Sequence, residues 1–481
     1  MILASIMRQS LNDIYFLTMG AITDTHSGTT LDPFPHWATL LLCVLFAILF
    51  GVWILPHTVF LRLFCFVSGG LLGLWAIYRY RSLLWQKRSL PIALILLLLL
   101  WVTIHLFWIG KDFNAQSLEY AKIWKKIALS LPFAIGLGLA IASNFSNPIK
   151  CRRYWQIIFL GFCLPTLIYF AKLTYAKFSA IYGYPIPNYL LLIPYDAVNP
   201  FGLARAWYVF FCLPAFAIAL GCLARQIELS TFTPTNSWPY IVILPMTVFL
   251  FFIESDRLGM VYITILLMLF LGLVFSRYFK NLGWGGWAAL MVVASISLGL
   301  VGVSVTKNLQ WKTLVADAKV AVQVDRFDHW KNRSKGYPIN ENGQIPTDSN
   351  YSRIAWAIVG SHLLLENPLG YGLMSISFSA LGKAKWPDSD LSWTHSAWLD
   401  FALGYGFPGV ILLGLATWLA WRQSTKLQAP WCQIGRWGLL AMTLVMTTKE
   451  VSAETVINAL VFLIVWLAAI SLAKIDKARI C

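Results

Sequence analysis

Apolar runs of about twenty residues recur along this chain from residue 35 to residue 474, and they constrain the fold more than any other feature. A bilayer's hydrocarbon core takes about 20 helical residues to cross, and every backbone group inside it must be bonded within the segment. The runs centre near 35–55, 58–78, 90–110, 127–143, 154–172, 204–224, 237–253, 258–276, 284–305, 405–421, 433–448 and 455–473. This pattern predicts an all-α polytopic membrane protein with about twelve transmembrane helices. Only 12% of the residues are charged, against about 25% in a typical soluble chain. The 23 tryptophans suit the aromatic belts found where helices leave the hydrocarbon.

A net charge of +16 on a soluble chain would raise nucleic acid as a partner. Here much of the excess lies in short loops: Arg79, Arg81, Lys87 and Arg88; Lys150, Arg152 and Arg153; Arg277 and Lys280; Arg422 and Lys426; Lys474, Lys477 and Arg479. These clusters all follow even-numbered spans, so the positive-inside rule places them in the cytoplasm with both termini. Membrane lipids are then the expected neighbours, and nucleic acid is not. The expected organisation is a cytoplasmic segment 1–34, spans one to nine over 35–305, an outer loop 306–395, spans ten to twelve over 396–474, and a cytoplasmic tail 475–481. One stretch opposes this topology mildly: 111–126, on the expected outer side, holds four lysines and two acids.

None of the eight cysteines falls in 306–395, and no CxxC pair occurs, so neither a disulfide framework nor a zinc site is expected. Residues 1–34 lack the apolar stretch of a cleavable signal peptide. No Gly-rich nucleotide loop, nucleophile elbow or Asp-rich metal motif is present, and the reading calls for no cofactor and no metal.

The long loop is the one large polar stretch. Trp311, Leu314, Val315, Ala318 and Val322 recur at helical spacing, which predicts an amphipathic helix over 311–325 lying on the membrane surface. Residues 336–349 form a polar Gly/Pro connection. A second helix is expected over 351–366, with Asp348, Ser349 or Asn350 as its N-cap, ending at the turn sequence Asn367-Pro368-Leu369-Gly370-Tyr371-Gly372.

Three places could carry chemistry. Glu254-Ser255-Asp256-Arg257 interrupts two apolar runs, where a charge must face a cavity or the interface. An internal pair of Arg257 with Glu254 or Asp256 would serve equally. Arg353 falls on the first turn of the expected loop helix, where a cation opposes the helix dipole unless an anion is also held there. With the free N–H groups of the helix start it could hold a diphosphate, or it could be a solvated arginine. His395, in Trp393-Thr394-His395-Ser396-Ala397-Trp398 where the chain returns to the membrane, could accept a proton from a hydroxyl, or could be a structural histidine. His362 shares the helix of Arg353, and His329 belongs to a solvated face.

In order along the chain, Ser255-Asp256-Arg257-Leu258-Gly259, Ser352-Arg353-Ile354-Ala355-Trp356, the Pro368–Gly372 turn, Thr394-His395-Ser396-Ala397-Trp398-Leu399 and Gly404-Tyr405-Gly406-Phe407-Pro408-Gly409 resemble the motifs of the O-antigen ligase family. That superfamily also includes O-antigen polymerases and bacterial O-oligosaccharyltransferases. The likeness covers about residues 199–420, with Leu258 where the family commonly has glycine. It implies a bacterial inner-membrane enzyme with its site facing the periplasm. Such an enzyme moves a glycan from undecaprenyl diphosphate to an acceptor, without metal and with inversion. By position, the resemblance makes His395 the general base and Arg257 and Arg353 the diphosphate ligands, with Arg205 a further vestibule cation.

The acceptor implied first is lipid A-core oligosaccharide. A second lipid-linked glycan (polymerase) or a secreted protein is the alternative. A transporter of lipid-linked glycans is the competing class, but transporters place ionisable residues near mid-membrane, whereas the residues above cluster at the outer edge.

Overall fold

The computed structural model describes residues 31–185, 187, 205–254, 257–278, 284–307, 309–448 and 454–473. The expected cytoplasmic ends, 1–34 for its first thirty residues and 475–481 entirely, fall outside these, as do Ser255 and Asp256. The described residues form helices joined by turns, with no strand among them.

The helices run α1 His36–Trp53, α2 Val59–Arg79, α3 Leu90–Ile104, α4 Phe113–Glu119, α5 Lys125–Ser143, α6 Pro148–Tyr182, α7 Arg205–Glu228, α8 Pro234–Ile253, α9 Arg257–Leu273 and α10 Trp284–Lys307. In the extramembrane segment come α11 Leu309–Lys312, α12 Leu314–Ala321, α13 Asp348–Glu366 and α14 Ser377–Lys385. The last three are α15 Ala397–Ser424, α16 Leu440–Val445 and α17 Glu454–Ile470. Nine segments among the described residues are long and apolar enough to cross a membrane. The other three expected spans are also helical: α10, and two shorter apolar helices over 434–445 and 455–470.

Helix α2 packs against α5, α5 against α17, α1 against α6, and α3 against α15. Helix α7 is buried nearly all round at the centre of the bundle, as a helix apolar on every face must be. The outward surface stays apolar: Phe60, Trp85, Trp108 and Trp284 are 88%, 91%, 77% and 93% exposed. In water such a surface would drive aggregation; in a bilayer it is the lipid-facing coat.

A second, separate core lies within the extramembrane segment. Val320, Ala321, Val324, Trp330, Tyr351, Ala355, Trp356, Val359, Leu363, Phe378, Leu381 and Leu391 pack together, and Leu403 of α15 joins them. The segment is therefore a small folded unit seated on the end of α15 rather than a loose connection.

Three expectations need correction. The 111–126 stretch is not a loop: α4, a π-helical turn Tyr120–Trp124 and α5 are continuous, and Glu119 is buried. The surface helix over 311–325 is broken at Thr313 into α11 and α12, and its buried face is Ala316, Asp317, Val320 and Ala321, whereas Val315 and Val322 are exposed. Asp317 supplies the reason, because its bonds turn that face inward. Finally, α13 starts at Asp348 with Thr347 as its N-cap, so Arg353 stands on the second turn and not the first.

Candidate active site

The head of α13 is fixed by a buried carboxylate. Asp317 is 0% exposed and accepts hydrogen bonds from Thr313 Oγ1 (2.8 Å), Asn340 Nδ2 (2.9 Å), Asn350 Nδ2 (2.9 Å), and Thr347 N and Oγ1 (3.2 and 3.1 Å). A carboxylate at a helix N-terminus also answers the dipole there. Burial alone would raise the pKa of Asp317, but the donors Asn340, Asn350, Thr313 and the Thr347 N–H outweigh it and hold the carboxyl below its usual value. A depressed carboxylate pKa contributes stability that is present above the unfolded value and is lost as pH falls through the folded one. The extramembrane unit should therefore loosen in acid, below the ordinary aspartate range of about 4. Asp317→Ala should loosen it at neutral pH by about 2–3 kcal/mol, since it strands several buried donors. Limited proteolysis across 336–349 reads both effects; equal cleavage of wild type and variant at neutral pH would contradict them.

Arg257, first residue of α9, reaches the same helix head. Its Nη2 donates to Ser349 Oγ at 2.8 Å and its Nη1 to Asn350 Oδ1 at 3.4 Å. Asn350 thus links Arg257 to Asp317. Glu254, three residues earlier, accepts from Tyr169 Oη at 2.9 Å. Arg353 follows Asn350 by three positions and Ser349 by four, so it is their neighbour on the helix surface. It is half-buried and forms no ion pair among the described residues.

Trp356, three residues further on, is fully buried and donates from Nε1 to Trp330 O at 2.9 Å. Its ring lies parallel to that of His395, with centroids 5.6 Å apart and planes 13° off. From Asn350 to Trp356 the helix axis advances about 9 Å. One short surface of α13 therefore meets Arg257, carries Arg353, and supports His395.

His395 is half-buried and has φ +61°, a left-handed conformation uncommon in a residue other than glycine. Its neighbours hold it there. Thr394 N and Oγ1 donate to Asp400 Oδ1 at 2.9 and 2.8 Å, and Ser396 N donates to Thr394 Oγ1 at 3.2 Å. Ser396 caps α15, and Asp400 lies in that helix's first turn with 2% exposure.

The glycine motifs build the floor beneath. Tyr371 N and Gly372 N donate to Leu403 O and Gly404 O at 2.8 and 2.7 Å, and Phe407 N donates to Pro368 O at 2.9 Å. The turn after α13 is thereby stitched to a break in α15 at Gly406, where φ is +65° and ψ −173°. From below, Glu119 accepts from Met374 N (2.9 Å), Ser375 N (3.1 Å), Ser375 Oγ (2.8 Å) and Tyr405 Oη (3.1 Å). Gln116 Nε2 donates to Gly372 O at 2.7 Å, and buried His105 bonds Leu369 O through Nε2 at 2.7 Å.

Three of the four expected site residues, Arg257, Arg353 and His395, are thus gathered around α13. Arg205 is the first residue of α7, and its side chain lies outside the described residues. Sequence reasoning quoted Trp356 only as part of a motif, without a role, and passed over Asp317, Asp400 and Glu119. The acids had a usable signal: the chain has only 21 Asp and Glu, so an acid beside an apolar run has a reason to be there.

These features define a class: an all-helical, multi-pass membrane protein bearing a compact extramembrane helical unit that collects two arginines and a histidine. Residues 241–414, rather more than a third of the chain, match the family model described as O-antigen ligase, which supports an O-antigen ligase family assignment. The same match supports an activity of the O-antigen ligase or polymerase type. The matched segment contains Arg257, Arg353 and His395 but not Arg205. No curated protein matches the chain.

Proposed function

We propose that this protein is an O-antigen ligase of the bacterial inner membrane. In this reading it transfers a polysaccharide from undecaprenyl diphosphate to lipid A-core oligosaccharide on the periplasmic face. The observation that carries the reading is the convergence on α13: Arg257 bonded at its head, Arg353 one turn along, and His395 stacked on Trp356 beyond.

Those positions support the following chemistry. An acceptor hydroxyl attacks the anomeric carbon of the donor sugar from the face opposite the diphosphate. His395 takes the hydroxyl proton as the new C–O bond forms. The bond from the anomeric carbon to the diphosphate breaks, and undecaprenyl diphosphate departs with configuration inverted at that carbon. Charge grows on the leaving oxygens, where Arg257 and Arg353 supply fixed positive charge and paired N–H donors. Guanidinium suits the task because it stays charged and matches phosphate geometry. Arg205, at the head of α7, adds a further cation at the entrance.

Purified protein reconstituted with lipid-linked glycan tests the reading, offered lipid A-core or a second lipid-linked glycan. Transfer to lipid A-core supports the ligase; transfer only to the second glycan makes it a polymerase. Movement of the glycan across the bilayer without transfer would make it a transporter. Arg353→Ala and Arg257→Ala should each raise the donor KM at least tenfold, each charge-assisted bond being worth about 1.5–3 kcal/mol. An unchanged donor KM in both would remove the diphosphate role.

A further inference from the structure

One more buried cation stands on a helix that touches this site. Lys172, on α6, is only 5% exposed, and among the described residues it makes no hydrogen bond or ion pair. Burying an ammonium is expensive unless an anion or several acceptors meet it.

Its place is defined by its neighbours. Lys172 lies 24 residues beyond Pro148, the first residue of α6, next to the basic cluster Lys150, Arg152 and Arg153. That is about 36 Å along the helix, more than the roughly 30 Å hydrocarbon thickness. It therefore stands at the opposite membrane edge, the edge of Glu254 and Arg257. Tyr169, one turn before it, donates to Glu254 Oε1 at 2.9 Å and packs edge-on against Tyr208, with centroids 5.1 Å apart. Tyr208 in turn is three residues from Arg205 at the head of α7. So α6, the head of α7 and the end of α8 at Glu254 bring Lys172 to the corner where α7 and α9 begin, at Arg205 and Arg257.

We propose that Lys172 is a further diphosphate ligand of the donor site, contacting the phosphate nearer the lipid. It stands on a membrane-spanning helix, whereas Arg353 stands on the extramembrane unit, so the two address opposite ends of one diphosphate. Among the described residues no carboxylate meets this ammonium, and a diphosphate donor brings one anion to it. This inference rests on the donor reading of the preceding section.

Thermal unfolding of the detergent-purified full chain tests it, with undecaprenyl diphosphate or phosphatidylglycerol as the added probe. Wild type should be stabilised by undecaprenyl diphosphate. Lys172→Met keeps the side chain's length and removes the charge. The ligand-free variant should melt higher than wild type and lose most of the undecaprenyl diphosphate shift. In transfer assays its donor KM should rise at least tenfold with the acceptor KM unmoved, and Lys172→Arg should recover part of that loss. A lower melting point with the full ligand shift retained makes Lys172 structural and overturns the proposal. So does an equal loss of stabilisation by phosphatidylglycerol, which marks a general headgroup site. Arg353→Ala separates the two readings. If it abolishes the shift and Lys172→Met does not, Lys172 alone is misassigned. If wild type shows no shift, the donor reading falls and takes Lys172 with it.

Discussion

Replacing His395 by asparagine is expected to cut glycan transfer by about 10² to 10⁴-fold, the range a positioned general base contributes, while the protein stays folded and binds donor as before. Asparagine is the informative substitute because φ at this position is +61°. Among residues other than glycine, asparagine tolerates the left-handed region best, so the backbone survives while the basic nitrogen goes. Glycine goes further. His395→Gly should relieve roughly 1 kcal/mol of local strain and so melt no lower than wild type, yet be equally inactive. A variant at least as stable but inert is what a strained functional position predicts, and a structural histidine predicts the reverse. The stacked ring beneath adds a graded check: Trp356→Phe should retain part of the activity, because a smaller ring still supports the imidazole. Initial rates in proteoliposomes, beside melting curves in detergent, decide the matter. Transfer by His395→Asn within twofold of wild type would end the assignment of His395 as base.

Much of this was legible in the sequence because hydrophobicity acts over whole segments. A run such as 35–55 announces a helix whatever its neighbours do, and each of the runs expected to span is helical. Arg257, Arg353 and His395 could be singled out because a charge or an imidazole at a membrane edge needs a reason. What could not be read was how they meet. Asp317 looked like one polar residue on an amphipathic helix, yet its bonds to Asn340, Thr347 and Asn350 reverse the buried face of α12 and start α13 early. Those partners lie 23 to 33 residues away, beyond any local periodicity. Glu119 was hidden for the same reason: the backbone it holds, at Met374 and Ser375, is about 255 residues distant. The Pro368–Gly372 and Gly404–Gly409 motifs were visible as words, but only the folded chain gives their physical content. They are two segments joined to each other through backbone hydrogen bonds, which no side-chain pattern announces.

That pairing sets up the largest expected loss of stability. At Gly406 a β-carbon would come within 2.3 Å of Pro368 O and 2.4 Å of Leu369 C, and the backbone there has φ +65° and ψ −173°, a combination close to exclusive to glycine. Alanine would have to push the two segments apart. The bonds from Phe407, Tyr371 and Gly372 would weaken together, at about 1 kcal/mol each, on top of about 1–3 kcal/mol of backbone strain. Gly406→Ala should therefore destabilise the protein by about 4–6 kcal/mol. It should also silence transfer, because α13 and the His395 segment are both anchored on this floor. Gly370→Ala should act similarly, since its β-carbon would lie 2.5 Å from Gly404 O and its φ is +85°. The control lies on the same helix. Around Gly414 nothing lies within 4 Å of an added β-carbon, so Gly414→Ala should be neutral or stabilise the helix by up to about 1 kcal/mol. Melting curves of the three variants, measured side by side in detergent, carry the comparison. If Gly406→Ala melts with Gly414→Ala rather than far below it, the floor does not hold the site and another contact must.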